Sequence, residues 1–156
     1  SKIGKGRLLQ KFSYVAQSPM MFRKSVGENI VGGNQAQQKM EREYIENVAK
    51  RSGVDLIRQG MTVEKIQKLQ ATELSCGEKK RVAYARALYK QGDVLLLDEV
   101  TSGLDKTIAE QLEKDMLQTN EQMVIHVTHQ LSTEMMAYYD EVFCIQNRQV
   151  IATKNA

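Results

Sequence analysis

The sequence predicts an α/β fold with a mainly parallel sheet and an inserted α-helical subdomain. Three observations carry this expectation. Val94-Leu95-Leu96-Leu97 is an uninterrupted aliphatic run, as a central parallel strand requires. From there to Thr128 the pattern alternates strand, helix, strand, which argues for parallel pairing. Before it lies a mainly helical middle of about seventy residues, which argues for an inserted subdomain.

Taken in order, the first ten residues read as basic and turn-like, with Gly4 and Gly6. Phe12 to Ala16 is β-branched and aromatic enough for a short strand, and Pro19 blocks further ladder pairing. Gly32-Gly33-Asn34 reads as a loop. Gln35 to Ser52 predicts a helix, because Met40, Tyr44, Val48 and Ser52 share a face with Ile45 and Ala49 beside them. Gly53 is its stop. Val54 to Lys68 is a weaker helical stretch broken at Gly60, and Ser75 to Lys90 a strong helix. Residues 106 to 118 are helical, with Ile108, Leu112 and Met116 in register. Met123 to Thr128 is a strand, and Val142 to Ile145 and Gln149 to Thr153 pair across Asn147-Arg148.

Composition narrows the function classes. Apolar residues make up 42% of 156 and charged residues 26%, the profile of one globular domain rather than a disordered or fibrous chain. The longest aliphatic run, four residues, is far too short to span a bilayer, and no signal-peptide pattern opens the chain. Cys76 and Cys144 match no metal spacing and read as a reduced pair. A net charge of +3 is too weak to argue for nucleic acid.

Four places carry chemistry. Asp98 and Glu99 follow the aliphatic strand, at the sheet edge where α/β folds bind ligands. Asp98 is suited to Mg²⁺, a hard ion that takes oxygen ligands, and Glu99 to orienting or deprotonating a water. An ordinary acidic turn at a strand end reads the same way. Leu74-Ser75-Cys76-Gly77-Glu78 opens a helix. Ser75 and Glu78 have capping-box spacing, and the same helix end offers N–H groups and a hydroxyl to a phosphate. His129 follows a strand, as does Gln17, and each alone is an ordinary loop residue.

Together these places resemble the ABC-type ATPases. Tyr14-Val15-Ala16-Gln17 is similar to the Q-loop, Leu74 to Glu78 to the signature motif, and Val94 to Glu99 to the Walker B strand with its catalytic glutamate. Ser102-Gly103-Leu104-Asp105 resembles the D-loop and His129 the switch histidine. All five stand in family order, with 58 residues from Gln17 to Ser75, 23 from Ser75 to Asp98 and 30 from Glu99 to His129. Ser25 to Ile30 and Thr128 to Thr133 resemble the exporter-type branch. A chromosome-maintenance ATPase would need long heptad runs between Q-loop and signature, and there are none.

The resemblance implies a RecA-like P-loop NTPase core, ATP and Mg²⁺ as ligands, and a second nucleotide-binding domain and transmembrane domains as partners. It places the chain on the cytoplasmic face of the membrane, with no nucleic-acid partner. By the same resemblance Glu99, His129 and Gln17 act in catalysis, Ser75, Gly77 and Asp105 bind ATP partly across a dimer interface, and Asp98 with Gln17 holds Mg²⁺. It divides the chain into 1–34 as the Q-loop part of the core, 35–92 as the helical subdomain and 93–156 as the remainder of the core. Met20, Met21 and Phe22 would face membrane domains, unless they fold into the core.

The chain departs from the family pattern in four ways. Cys76 stands where glycine is usual, Glu78 where glutamine is usual, and 61–72 lacks the usual glycine-acidic pattern. No Gly-x-x-x-x-Gly-Lys-Ser/Thr occurs, and Ile3-Gly4-Lys5-Gly6 is not one. The chain therefore reads as the C-terminal two thirds of an ATPase domain whose outer strand Met123 to Val127 has an open edge. That edge is expected to pair with another chain or to be filled by the terminal strands. Two other readings remain: a fragment that binds no nucleotide and serves as an interaction module, and a soluble ABC-type ATPase outside transport.

Overall fold

The computed structural model describes residues 4–32, 42–118 and 122–154. Three strands, β1 (Phe12–Val15), β2 (Val94–Asp98) and β3 (Met123–Val127), form one parallel sheet in the order β1-β2-β3. The register sets Tyr14 beside Leu96 and Leu96 beside Ile125, so the next positions, Val15, Leu97 and His126, share the opposite face. Ser13, Val15, Leu95 and Leu97 are buried on that second face. On the first, Tyr14, Met123, Ile125 and Val127 are exposed. Alternation therefore separates a covered face from an open one.

The covered face lies under α5 (Cys76–Tyr89) and α6 (Lys106–Gln118). Helix α5 is apolar on most sides, with Val82, Ala83, Tyr84, Ala85, Ala87 and Leu88 buried, as befits a central helix. It packs against β1, α2 (Val26–Val31), α3 (Arg42–Arg51) and α6. The Tyr84 hydroxyl donates to the Met116 carbonyl at 3.3 Å, and Lys90 Nζ donates to the Leu9 and Phe12 carbonyls at 3.0 and 2.6 Å. β1 approaches the α5–β2 turn so closely that a Cβ on Gly92 would lie 2.7 Å from Ser13 N and 2.9 Å from Lys11 O. Only glycine fits there.

Several expectations hold to within a residue or two: α5, β2, α6, β3 and the terminal hairpin of β4 (Glu141–Gln146) and β5 (Gln149–Lys154). Asn147 and Arg148 both have positive φ, 51° and 62°, the two-residue turn whose twist matches a hairpin. The helix expected over Gln35 to Ser52 is seen as α3, while Met40 and Gly33-Asn34 lie outside the described residues.

Other elements differ. The turn-like N-terminus contains a helix, α1 (Lys5–Gln10), whose residues 6–10 are all exposed, which is why no apolar periodicity announces it. Ser25 to Val31 holds α2, begun by a capping box of Ser25 and Glu28 and ended by Gly32 at φ 72°. The stretch from Val54 to Lys68 is a 3₁₀ turn, Val54–Leu56, followed after Gly60 by α4 (Val63–Gln67). A one-turn helix, α7 (Thr133–Met136), follows the switch segment. The terminal strands do not fill the edge of β3: β4 and β5 pair antiparallel with each other as a separate two-stranded sheet.

Candidate functional site

The C-terminal ends of β1, β2 and β3 bring Gln17, Asp98, Glu99 and His129 together. Gln17 leaves β1 and Asp98 ends β2. Glu99 follows at φ 44°, a left-handed conformation that costs a non-glycine residue of order 1 kcal/mol. The turn after it is closed by Ser102 N donating to the Glu99 carbonyl at 3.0 Å, and Glu99 N donates to the Val127 carbonyl of β3 at 2.8 Å. Glu99 is thereby held from both sides of the sheet edge.

Its carboxylate has two distinct ends. Gln17 Nε2 donates to Oε2 at 2.6 Å and lies 3.5 Å from Ser102 Oγ. Oε1 lies 3.5 Å from His129 Nδ1. With the Gln17 amide nitrogen committed, its carbonyl oxygen is the end left to meet a cation. Asp98 Oδ2 accepts the Tyr14 hydroxyl at 2.8 Å, and that hydrogen bond holds the phenol above its usual pKa. Among the described residues no three His, Cys, Asp or Glu side chains gather as a metal cluster. An ion held by one carboxylate, an amide oxygen and substrate phosphates, as Mg²⁺ commonly is, fits this donor set.

Ser75 and Gly77 stand apart from this group, at the start of α5. Ser75 is the N-cap: Glu78 N donates to Ser75 Oγ at 3.4 Å and Ser75 N to Glu78 Oε2 at 2.7 Å. Glu78 is therefore turned back on the helix end, and its other oxygen pairs with Arg58. The negative charge at this departure is neutralised locally. Cys76 is exposed as the first helical residue. A Cβ on Gly77 would lie 3.4 Å from Leu104 Cδ2, so the signature turn packs on the D-loop. Asp105 caps α6, its Oδ1 accepting from Ile108 N at 3.1 Å, which gives it a structural role besides any contact with nucleotide.

Three residues of this neighbourhood were missed. Lys80, 1% exposed, donates from Nζ to the Ser102 carbonyl, linking α5 to the turn that holds Glu99. Burial lowers its pKa, while the charges of Cys76 and Glu99 oppose that shift. Its signal was positional: Lys80 falls in register with Ala83, Tyr84 and Ala87 on a buried face. Tyr14 lies in the Q-loop segment and Ser102 in the D-loop segment, but only contact reveals what they hold.

The segment after Gln17 is moored to α5. Arg86 donates from Nε to the Asn29 carbonyl at 2.7 Å, from Nη2 to Asn29 Oδ1 at 2.9 Å and from Nη1 to the Met20 carbonyl at 3.0 Å. Its guanidinium lies 5.3 Å from the centre of the Phe22 ring. Met20 and Phe22 are exposed, while Met21 packs against the core.

This geometry coincides with a family. The family model described as ABC transporter matches residues 3–102, and the chain belongs to that family. Its relatives are exporter-type members. It is 36% identical over 150 residues to "Multidrug resistance protein homolog 65" of Drosophila melanogaster, covering 93% of this chain and 11% of that one. It is 33% identical over 150 residues to an "ATP-dependent lipid A-core flippase" of Vibrio cholerae, covering 92% and 25%. The chain thus spans a quarter or less of these relatives' length. The fold is that of ABC ATPases. It superposes on cbiO1 from Clostridium perfringens, titled part of an ABC transporter complex, with a TM-score of 0.76 at 28% identity, covering 94% and 57%. For a bacterial Atm1-family ABC exporter with ATP bound, the TM-score is 0.73 at 24% identity, covering 93% and 25%.

Proposed function

We propose that this chain is part of the ATP-hydrolysing unit of an exporter, coupling hydrolysis at a dimer interface to movement of transmembrane domains. The observation that carries the reading is the meeting of Gln17, Asp98, Glu99 and His129 at one sheet edge. In this reading Glu99 takes the proton of the attacking water through Oε1, while Gln17 and the turn hold the carboxylate in place. His129, on the same side, contacts the γ-phosphate. Asp98 and Gln17 would hold Mg²⁺, which when bound spreads the charge of the phosphates. Ser75 and Gly77 would close on the nucleotide of a second such domain, offering the N–H groups of a helix end already capped and oriented. Residues 35–92 would move as the helical subdomain, with 1–34 and 93–156 as parts of the core. Met20 and Phe22 would meet the membrane domains at the cytoplasmic face. The test is ATP turnover by a full-length transporter containing this segment. Glu99→Gln keeps shape and hydrogen bonding but removes the base, so turnover should fall by about 10² or more. Retention of most of the kcat would overturn the assignment.

A further inference from the structure

Glu113 in α6, His126 in β3 and Tyr139 just after α7 meet in a buried cluster that the site above does not use. The Tyr139 hydroxyl donates to Glu113 Oε1 at 3.1 Å. His126 Nδ1 lies 2.5 Å from the Tyr139 hydroxyl oxygen and 3.2 Å from Glu113 Oε1. The side chains of His126 and Glu113 are 0% and 5% exposed. His126 Nε2 is buried without a hydrogen-bond partner among the described residues.

One arrangement of protons satisfies these contacts. His126 carries its proton on Nδ1 and offers it to the Tyr139 and Glu113 oxygens, Tyr139 donates to Glu113, and Nε2 keeps a bare lone pair. A second ring proton would be a buried N–H with no acceptor. Accordingly, burial pushes the ring down to about 4. Burial, aided by the charge of Glu110, pushes Glu113 up against the opposing Tyr139 hydrogen bond. Burial and the Glu113 charge raise Tyr139.

The cluster brackets the segment that bears His129. His126 precedes that residue by three positions and Tyr139 follows it by ten, and both touch the same α6 carboxyl. Between them only Met135 of α7 is fully buried, and the loop residues Gln130, Leu131 and Ser132 are not. Gln130, Leu131 and Ser132 border a cavity of about 420 Å³ that Leu104, Glu113 and Met135 also line. We propose that Glu113, His126 and Tyr139 form a buried clasp that sets the position of His129 relative to Glu99, tying the switch loop to the helix that follows Asp105. The consequence for hydrolysis rests on the function proposed above; the clasp itself does not.

The chain has two histidines, so ring ¹⁵N NMR resolves both. At pH 7 His126 should show the Nδ1–H tautomer. Tyr139→Phe should shift the His129 ring signals and speed amide exchange over residues 128–132 by about tenfold, the loss of one hydrogen bond, while α5 amides stay protected. Glu113→Gln keeps the acceptor oxygen and should stay near wild type, whereas Glu113→Leu should behave like Tyr139→Phe. A folded Tyr139→Phe with unchanged His129 signals and loop exchange overturns the proposal, as does an Nε2–H tautomer of His126. If Tyr139→Phe does not fold, the Glu113 pair decides: equal behaviour of Gln and Leu variants overturns it. Turnover lost or kept in Glu99→Gln judges the ATPase reading alone and leaves this result standing.

Discussion

Gln17 and Glu99, 82 positions apart, are joined by a 2.6 Å hydrogen bond from the Gln17 amide to Glu99 Oε2. The bond spans two neighbouring parallel strands and fixes one oxygen of the carboxylate. The other is left facing His129 at 3.5 Å. A residue that leads toward the exposed Met20 and Phe22 thus touches the proposed base directly. Whatever displaces Gln17 changes the setting of Glu99.

The chain by itself should not hydrolyse ATP. No Gly-x-x-x-x-Gly-Lys-Ser/Thr is present to cradle the phosphates, and that cradle supplies most of the binding to the triphosphate. Phosphate release at millimolar MgATP should match buffer. Turnover that disappears in Glu99→Gln would refute this expectation.

Ser75→Arg in a full-length transporter should abolish activity. It removes the N-cap hydroxyl and puts a bulky cation where a phosphate would dock. The cap alone is worth about 1 kcal/mol, so the variant should remain folded by circular dichroism. Normal turnover would sink the reading of this helix end.

Lys80→Met should destabilise the chain by about 1–3 kcal/mol. The methionine fills the space of the stem, but the Ser102 carbonyl loses its donor beneath the turn that carries Glu99. Urea unfolding measures it. An unchanged midpoint would mean that water replaces the ammonium at no cost.

Gly92→Ala should cost about 2 kcal/mol. The new Cβ would meet Ser13 N at 2.7 Å and Ser13 Oγ at 2.8 Å, and the backbone atoms can yield only if β1 shifts against β2. Thermal unfolding tests it against Gly4→Ala, whose Cβ would meet nothing within 4 Å among the described residues. Equal melting temperatures would contradict the close approach.

Stability should fall as pH drops from 6.5 toward 4. The unfolded His126 takes up a proton near its ordinary value of 6.5, the folded one only near 4, so between these values acid favours the unfolded chain. The full window corresponds to about 3 kcal/mol. Glu113 works in the opposite sense, because its folded carboxyl accepts a proton at higher pH than the unfolded one. His126→Leu should therefore lose the acid-side decline. An identical slope in wild type and variant would show that His126 titrates normally.

Much of the fold was legible because its signals are local. The aliphatic run of β2 needs no partner to be recognised, and Ser75 with Glu78 marks the start of α5 within one turn. The hairpin turn at Asn147-Arg148 is likewise a property of adjacent residues. Where local signals were weak, the reading missed. Helix α1 is exposed over residues 6–10 and so shows no apolar stripe. Helix α2 is only six residues long, too short for an apolar period to stand out.

The chain's sequence by itself determined the order and spacing of Gln17, Ser75, Asp98, Glu99 and His129, and with them the family. It also set which strands alternate and which helices are amphipathic, since periods of 2 and 3.6 are written in neighbouring residues. Only the tertiary structure decided which polar atoms meet. The Gln17–Glu99 bond, the reach of Lys80 to Ser102 and the meeting of Glu113, His126 and Tyr139 depend on strand register and on how α5 and α6 lie across the sheet. The physical reason is range. Propensity and periodicity act over a few residues, whereas these contacts close across 13 to 82 positions and exist only once the layers have packed.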